Sequence, residues 1–291
     1  MPLAALCRRR VRDHAHITKL ELHKRGGWPD LIDSAARELS RKLHYMESVK
    51  TKFLSWLSGQ SMPARIARLP LRAIPGDTVV PVLSGTMCGA KWISGSFNQS
   101  CYLGGYEGSK QAIIKSSVRP GSVFYDIGAN VGFYTVLASR LVGGTGKVVS
   151  FEPVPRNVTF LNRHIMINSI CNATVCEAAV GESTGSAKFS LGERWAMGRL
   201  SHQGELNVAL VSIDDCVARG MTPPNYMKID VEGAEANVLR GATLTLAHSR
   251  PIIFLATHNE QAEAHCKHLL GEAKYRVSLL EPSEFVCEPI A

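Results

Sequence analysis

The stretch Val123-Phe124-Tyr125-Asp126-Ile127-Gly128-Ala129-Asn130-Val131-Gly132 decides how this chain reads. Three apolar residues running into an acid make a short strand. A turn carrying glycines follows, and the apolar spacing over 131–141 predicts a helix. The alternation continues downstream, with a strand over 147–151, a helix over 154–168 and a strand over 173–180. Further strands are predicted over 226–231, 251–256 and 276–280, with helical stretches between them. Apolar strands alternating with helices give an α/β fold: a doubly wound, mostly parallel sheet with helices on both faces.

Upstream the pattern differs. Residues 78–83 and short stretches around Trp92 and Tyr102 read as strands between glycine-rich turns. Pro63, Pro70 and Pro75 mark 63–76 as a linker. Before it, Ile32, Ala36, Leu39, Leu43, Met46, Phe53 and Leu57 recur at helical spacing from the Trp28-Pro29-Asp30 entry to a stop near Gly59. This stripe must pack on the main domain or on a second copy, so a homodimer through this helix is one expectation. Three parts follow: a basic helical extension and linker over 1–75, a small β-rich lead-in over 76–120, and the main domain over 121–291.

Composition narrows the class. The 291 residues are 45% hydrophobic and 20% charged, which excludes a mostly disordered chain. No apolar run approaches the roughly 18 residues of a membrane span, and no apolar core follows the arginines of 1–12 as a secretory signal would require. Eight cysteines without paired two-residue spacing argue against a zinc knuckle or a thioredoxin motif, and imply reduced thiols in a cytoplasmic setting. The net charge of +8 is unevenly placed. Residues 1–75 hold 15 Lys/Arg against 6 Asp/Glu, and the remainder holds 18 against 19. The basic segment could touch an acidic surface, but no interleaved aromatics accompany it, so nucleic acid is not indicated and a solvated helix face suffices.

In an open doubly wound sheet, ligands bind beyond the carboxyl ends of the strands at the switch point. The turn after the first strand has Gly128 for tightness and Gly132 for close approach of the next helix to the strand. The nicotinamide-dinucleotide fingerprint wants glycine at the first, third and sixth places, and here the third and sixth are Asn130 and Phe133. A pyrophosphate would find little room, which disfavours a nicotinamide-dependent oxidoreductase. S-adenosyl-L-methionine is a ligand of similar size without phosphates, and Asp126 would suit its cationic amino group. The next strand ends Phe151-Glu152-Pro153, placing a carboxylate 24 residues beyond Gly128, near the interval of a ribose-binding acid. Its two oxygens could accept both ribose hydroxyls, or Glu152 could simply cap the following helix.

Together, the Asp126–Gly132 turn, the Phe151-Glu152-Pro153 tip and Lys228-Ile229-Asp230-Val231-Glu232-Gly233-Ala234-Glu235 resemble the FkbM family of S-adenosylmethionine-dependent methyltransferases. Gly104-Gly105-Tyr106-Glu107 is similar to that family's aromatic–acid pair before the first strand, and the resemblance covers roughly 86–259. It implies a class I methyltransferase (Rossmann-like) fold with a seven-stranded sheet. It also implies methylation of a hydroxyl on a sugar or natural-product acceptor. The cofactor contacts it implies are Tyr106, Glu107, Asp126, Gly128, Ala129, Asn130, Gly132, Glu152, Pro153 and Asp230, with Ala178 and Ala179 beside the adenine.

Period-two alternation in the fourth-strand block puts Lys228, Asp230 and Glu232 on one side. Three charges on one face are tolerable only where the strand emerges into a cleft. Asp230 is the leading active-site acid, followed by Glu232, while Glu235 would only stabilise the first turn of the next helix. Lys228 suits an ion pair or a substrate contact equally. A neutral alcohol must lose its proton during transfer, and His258, after the strand over 251–256, is placed to take it; Asp230 or Glu232 could serve instead. The family often has a Glu two positions before this His, where this chain has Ala256, which argues against a carboxylate-supported histidine.

An insertion over 181–207 carries Arg194, Trp195, Arg199 and His202. It could form a lid in which Trp195 stacks on a sugar ring while Arg199 and His202 bind hydroxyls or an acidic group, or a surface hairpin without ligand contact. No metal is required; Asp214-Asp215, which with Asp230 could in principle hold magnesium, reads better as a helix N-cap. The runner-up is a non-catalytic protein that binds the cofactor. N-methylation lacks its usual Asn/Asp-Pro-Pro-aromatic signature at 229–233.

Overall fold

With proline at its first position, where a missing N–H costs nothing, and no breaker before Gly59, the segment Pro29–Ser58 winds as one helix, α1. The structure, a computed structural model, describes residues 29–59, 61–191, 199–200 and 204–290. The chain divides into two compact units at Arg68, not after residue 75. In the first unit, α1 is followed by α2 (Met62–Ala67), so the proline-rich stretch opens as a helix rather than a bare linker. On the α1 stripe, Leu39, Met46 and Phe53 are exposed, whereas Leu57 is buried. No helix among the described residues is long and apolar enough to cross a membrane. The basic residues 1–28 lie outside the described residues.

The second unit opens with a 3₁₀ turn over Leu69–Ala73, then β1 (Val79–Pro81) and β2 (Lys91–Ile93), an antiparallel pair. Tyr102 lies in a short helix, α3 (Ser100–Leu103), which corrects the strand expected there. A helix without a sequence forecast, α4 (Gly108–Ser117), follows. The lead-in belongs to the same unit as the main sheet. Its Trp92 is fully buried and stacks on His164, ring centroids 3.9 Å apart.

The alternating segment then runs β3 (Val123–Ile127), α5 (Phe133–Val142), β4 (Lys147–Phe151), α6 (Pro155–Ile167) and β5 (Ala173–Cys176). The strand expected over 173–180 is broken at Glu177. Its second half, β6 (Ala179–Val180), pairs instead in a four-stranded sheet with β7 (Gly185–Ser190), β8 (Arg199–Leu200) and β9 (Leu206–Val211). The insertion is therefore built on a hairpin. Arg194, Trp195 and His202, and the side chain of Arg199, lie outside the described residues. Next come α7 (Ile213–Ala218), β10 (Tyr226–Ile229), α8 (Glu235–Arg240), α9 (Thr243–His248), β11 (Ile252–Ala256) and α10 (Glu260–Glu272). A closing hairpin, β12 (Tyr275–Glu281) and β13 (Glu284–Pro289), adds a last strand that was not forecast.

The main sheet has seven strands in the order β12-β13-β11-β10-β3-β4-β5, parallel except at β13. This is the class I methyltransferase order. The chain winds outward from β3 through β4 to β5, then returns to the other side of β3 as β10, so a crevice opens above the β3–β10 boundary. Phe124, Tyr125, Ile127, Phe151, Met227, Ile229, Ile253 and Leu255 are buried along these strands. Each such side chain contributes about 1.5–3 kcal/mol by leaving water.

Candidate active site

Above that boundary lies a cavity of about 290 Å³, near the small end of the usual range for ligand sites. Of the residues forecast from sequence, Tyr106, Glu107, Gly128, Ala129, Asn130, Glu152, Pro153, Ala178, Ala179, Asp230, Glu232 and His258 all line it. Asp126 and Gly132 do not.

The turn after β3 explains its own residues. Gly128 has φ +76°, and a Cβ there would come within 1.9 Å of the Asp230 carbonyl oxygen, so only glycine lets the two loops meet. Asn130 also has positive φ, 50°, a conformation asparagine tolerates. Gly132 serves a different contact from the one expected. A Cβ there would meet Leu161 of α6 at 2.4 Å, so its close approach is between helices, not between helix and strand. His164 braces the turn from below. Its Nε2 accepts the Ile93 N–H at 3.1 Å, which fixes the proton on Nδ1 to donate to the Val131 carbonyl at 2.7 Å. Burial lowers its pKa to about 4.

Glu152, only 5% exposed, lies at the end of β4. Its Oε2 accepts the Asn130 N–H at 2.8 Å, while Oε1 accepts the Val154 N–H at 3.0 Å and the Asn157 amide at 3.2 Å. Burial raises its pKa, and these donors pull the other way. Three of roughly four lone-pair positions are thus occupied, leaving about one acceptor position on Oε2. The geometry offers a single further hydrogen bond, not the bidentate grip expected from the carboxylate alone.

Asp126 is fully buried beneath the turn. Thr135 donates to its Oδ2 at 2.7 Å, and Lys228 Nζ lies 3.5 Å from its Oδ1. Burial raises its pKa against the pull of Lys228 and Thr135. The expected contact between Asp126 and a cationic amino group is therefore corrected: this acid anchors Lys228 from below. Lys228, itself buried, donates to the Gly128 carbonyl at 2.8 Å and lies 3.6 Å from Asp230, so it fills the ion-pair role. The acids that reach the cavity near this end are Glu107 and Asp230. Glu107 also accepts the Tyr134 hydroxyl at 2.6 Å.

A second buried lysine, Lys110 of α4, bridges Glu107 at 2.9 Å, Glu284 at 2.6 Å and Asp230 at 3.9 Å. Burial works against its charge, but Asp230, Glu107 and Glu284 outweigh it and hold the pKa above the ordinary lysine value. Burial also opposes ionisation of Asp230, yet Lys228, Lys110 and His258 keep its carboxyl below the usual range. Burial raises Glu232 and Glu284.

A model described as the methyltransferase FkbM domain matches residues 126–277. The chain belongs to the FkbM methyltransferase family. A curated relative, hexuronic acid methyltransferase AglP of Haloferax volcanii, is 30% identical over 157 residues, covering 52% of this chain and 62% of that protein. The chain thus matches about three fifths of that relative's length. Among solved structures, a methyltransferase FkbM from Methylobacillus flagellatus KT aligns with a TM-score of 0.43 at 16% identity, over 66% of this chain and 55% of that one. A fibrillarin from Aeropyrum pernix, solved with bound S-adenosyl-L-methionine, aligns with a TM-score of 0.40 at 13% identity, over 61% and 71%.

In this FkbM domain the loop after β10 departs from strand alternation. The strand ends at Ile229, and Glu232 takes a positive φ of 55°. Asp230 and Glu232 thereby converge on His258, whose Nε2 lies 3.4 Å from Asp230 Oδ1 and 3.3 Å from Glu232 Oε2. The other nitrogen, Nδ1, lies 2.8 Å from Oε1 of Glu235, a fully buried carboxylate that also accepts the Gly233 N–H. This corrects two expectations. Glu235 does more than charge the start of α8, and the histidine has a carboxylate partner despite Ala256. The partner comes from the first residue of α8 instead of its own strand. Glu235 raises the His258 pKa first, burial opposes it, and Asp230 and Glu232 add to the rise.

The cavity fits S-adenosylmethionine on its own terms. One lone pair of Glu152 remains for a ribose hydroxyl, Ala178, Ala179, Val180 and Phe189 supply apolar surface, and carboxylates gather at the opposite end for a cation. Asp230, Glu232 and His258 each offer a ligand atom, all within 4.8 Å of one another, a donor set able to hold a divalent cation. The pair Asp214-Asp215 is committed elsewhere. Ser212 is the N-cap of α7; Asp214 accepts from the Leu244 and Thr245 N–H groups, and Asp215 accepts from the Thr184 hydroxyl.

Proposed function

We propose that the chain is an S-adenosylmethionine-dependent O-methyltransferase that acts on a hydroxyl of a sugar or natural-product acceptor. The observation that carries this reading is His258, with Nδ1 held by buried Glu235 and Nε2 beside Asp230 and Glu232 at the cavity wall. With its proton on Nδ1 and donated to Glu235, the neutral ring keeps a lone pair on Nε2 that can accept a hydroxyl proton. The imidazolium so formed lies among three carboxylates, which stabilise it as the new bond develops. A carboxylate acceptor has no proton to lose and would leave this base idle, so the histidine favours an alcohol.

Bound in the cavity, S-adenosylmethionine would supply an electrophilic methyl group, which the acceptor oxygen would take as the S–C bond broke with its electron pair left on sulfur. The protein's contribution is to hold the two partners in line and exclude water from the contact. Glu152 would accept one ribose hydroxyl, Ala178 and Ala179 would flank the base, and Glu107 with Asp230 would face the cationic end. That the acceptor is a sugar is supported by the AglP relative, named for a hexuronic acid; the carboxylate of that sugar is not carried over to this chain.

The test is incubation with methyl-labelled donor and a panel of hydroxyl acceptors, read by mass spectrometry. Label on an acceptor oxygen is the expected result. Tight cofactor binding without labelled product would favour the non-catalytic alternative. Calorimetric binding of a nicotinamide dinucleotide, with no heat from S-adenosylmethionine, would overturn both.

A further inference from the structure

The end of the cavity where the carboxylates gather has a lopsided charge. Among the described residues, the ion pairs connect Glu107, Asp126, Asp230, Glu232, Glu235 and Glu284 into one network whose cationic partners are Lys110, Lys228 and His258. Six carboxyl groups thus face two lysines and a histidine. A single bound sulfonium would leave the acids in excess.

Neither lysine is free to receive an anion. Lys110 is 4% exposed and already bridges Glu107 and Glu284 at 2.9 and 2.6 Å. Lys228, also 4% exposed, is committed to the Gly128 carbonyl and lies between Asp126 and Asp230. Among the described residues lining the cavity there is no arginine. A carboxylate or phosphate brought here would lose its water, find no free lysine or arginine among the described residues, and stand beside Glu232 and Glu284, with His258 already held among three carboxylates.

Building on the hydroxyl-methylation reading, we propose that the acceptor is uncharged around its reacting hydroxyl, and that a sugar bearing a carboxylate next to that hydroxyl is rejected on charge. Glu284, from the closing hairpin, sets part of this selectivity. It lines the cavity, where its Oε1 lies 2.6 Å from Lys110 Nζ. Hydroxyl groups suit such a site because each can donate to a carboxylate oxygen while presenting no charge.

The experiment compares kcat/KM for three sugars of one shape: methyl glucoside, methyl glucuronoside and the neutral methyl glucuronamide, within a wider panel of hexoses, deoxyhexoses and polyols, each assayed in chelator and again with added magnesium. The expected result is that the glucuronoside falls at least about tenfold below the glucuronamide in both conditions, the penalty of like charges in a poorly solvated site. In Glu284→Gln that gap should narrow, while the ratio of glucoside to glucuronamide stays fixed. A glucuronoside turned over as well as the amide, with or without magnesium, overturns the charge argument and leaves hydroxyl methylation standing. Transfer to no member of the panel, despite cofactor binding, defeats the hydroxyl reading and this inference together.

Discussion

Acidification should weaken this fold through His164. The ring is fully buried, stacked on Trp92, and both nitrogens are committed, one accepting from Ile93 and one donating to Val131. A proton added to Nε2 would set two donors against each other, and the buried charge has no carboxylate partner here. The folded pKa of about 4 lies below the ordinary 6.5, so between these values the unfolded chain binds the proton first. The stabilisation is complete above about pH 6.5, fades as pH falls, and is gone below about 4. At 1.36 kcal/mol per pH unit the whole effect is ~3 kcal/mol, with roughly 2 kcal/mol already lost at pH 5. Urea unfolding of the parent and of His164→Gln at pH 7.5 and pH 5 isolates it, because glutamine can donate and accept but gains no proton. The parent should lose about 2 kcal/mol more than the variant across that interval. Parallel losses would show that the ring does not stay neutral in the fold, and the tautomer assignment would go with it.

Other consequences are direct. In Glu235→Gln, kcat should drop by about 10²-fold or more, since the histidine loses its orienting carboxylate. Its acid limb should also shift to lower pH, because Glu235 contributes first to the raised His258 pKa and a base must be neutral to act. A pH–rate profile whose limb does not move would remove Glu235 from the mechanism. Gly128→Ala places a Cβ 1.9 Å from the Asp230 oxygen at a positive φ, and should destabilise the protein by about 3 kcal/mol or more. An unchanged urea midpoint would contradict the loop geometry.

The sheet was legible because β3, β4, β10 and β11 are short apolar runs separated by helical spacing, and each ends in the residues that form the site. The closing strand was not, because Glu284–Pro289 mixes charges and a proline with its apolar residues and runs antiparallel to both of its neighbours, outside the strand–helix alternation. Tyr102 looked like strand because its neighbours are apolar, but a buried single-turn helix carries the same composition. Within the site, residue identities were readable and directions were not. Both faces of β3 are buried, so alternation could not tell that Asp126 points beneath the turn. Glu152 looked free to hold two hydroxyls because the backbone N–H groups of Asn130 and Val154 that occupy it have no signature in side-chain chemistry. The Glu235–His258 pair joins residues 23 apart, one opening α8 and the other in the loop after β11, and the β10–β11 pairing brings those segments together. Glu235 was nevertheless inside the motif block that pointed to the site.

The most direct test of the account is calorimetric titration of S-adenosylmethionine into the parent protein and into Glu152→Gln, with thermal melts to establish that both are folded. Binding to the parent and an affinity at least about tenfold weaker in the variant is the predicted outcome, since a charge-assisted hydrogen bond to the ribose is worth about 1.5–3 kcal/mol. Equal affinity in the two folded proteins would contradict the placement of the nucleotide at the end of β4.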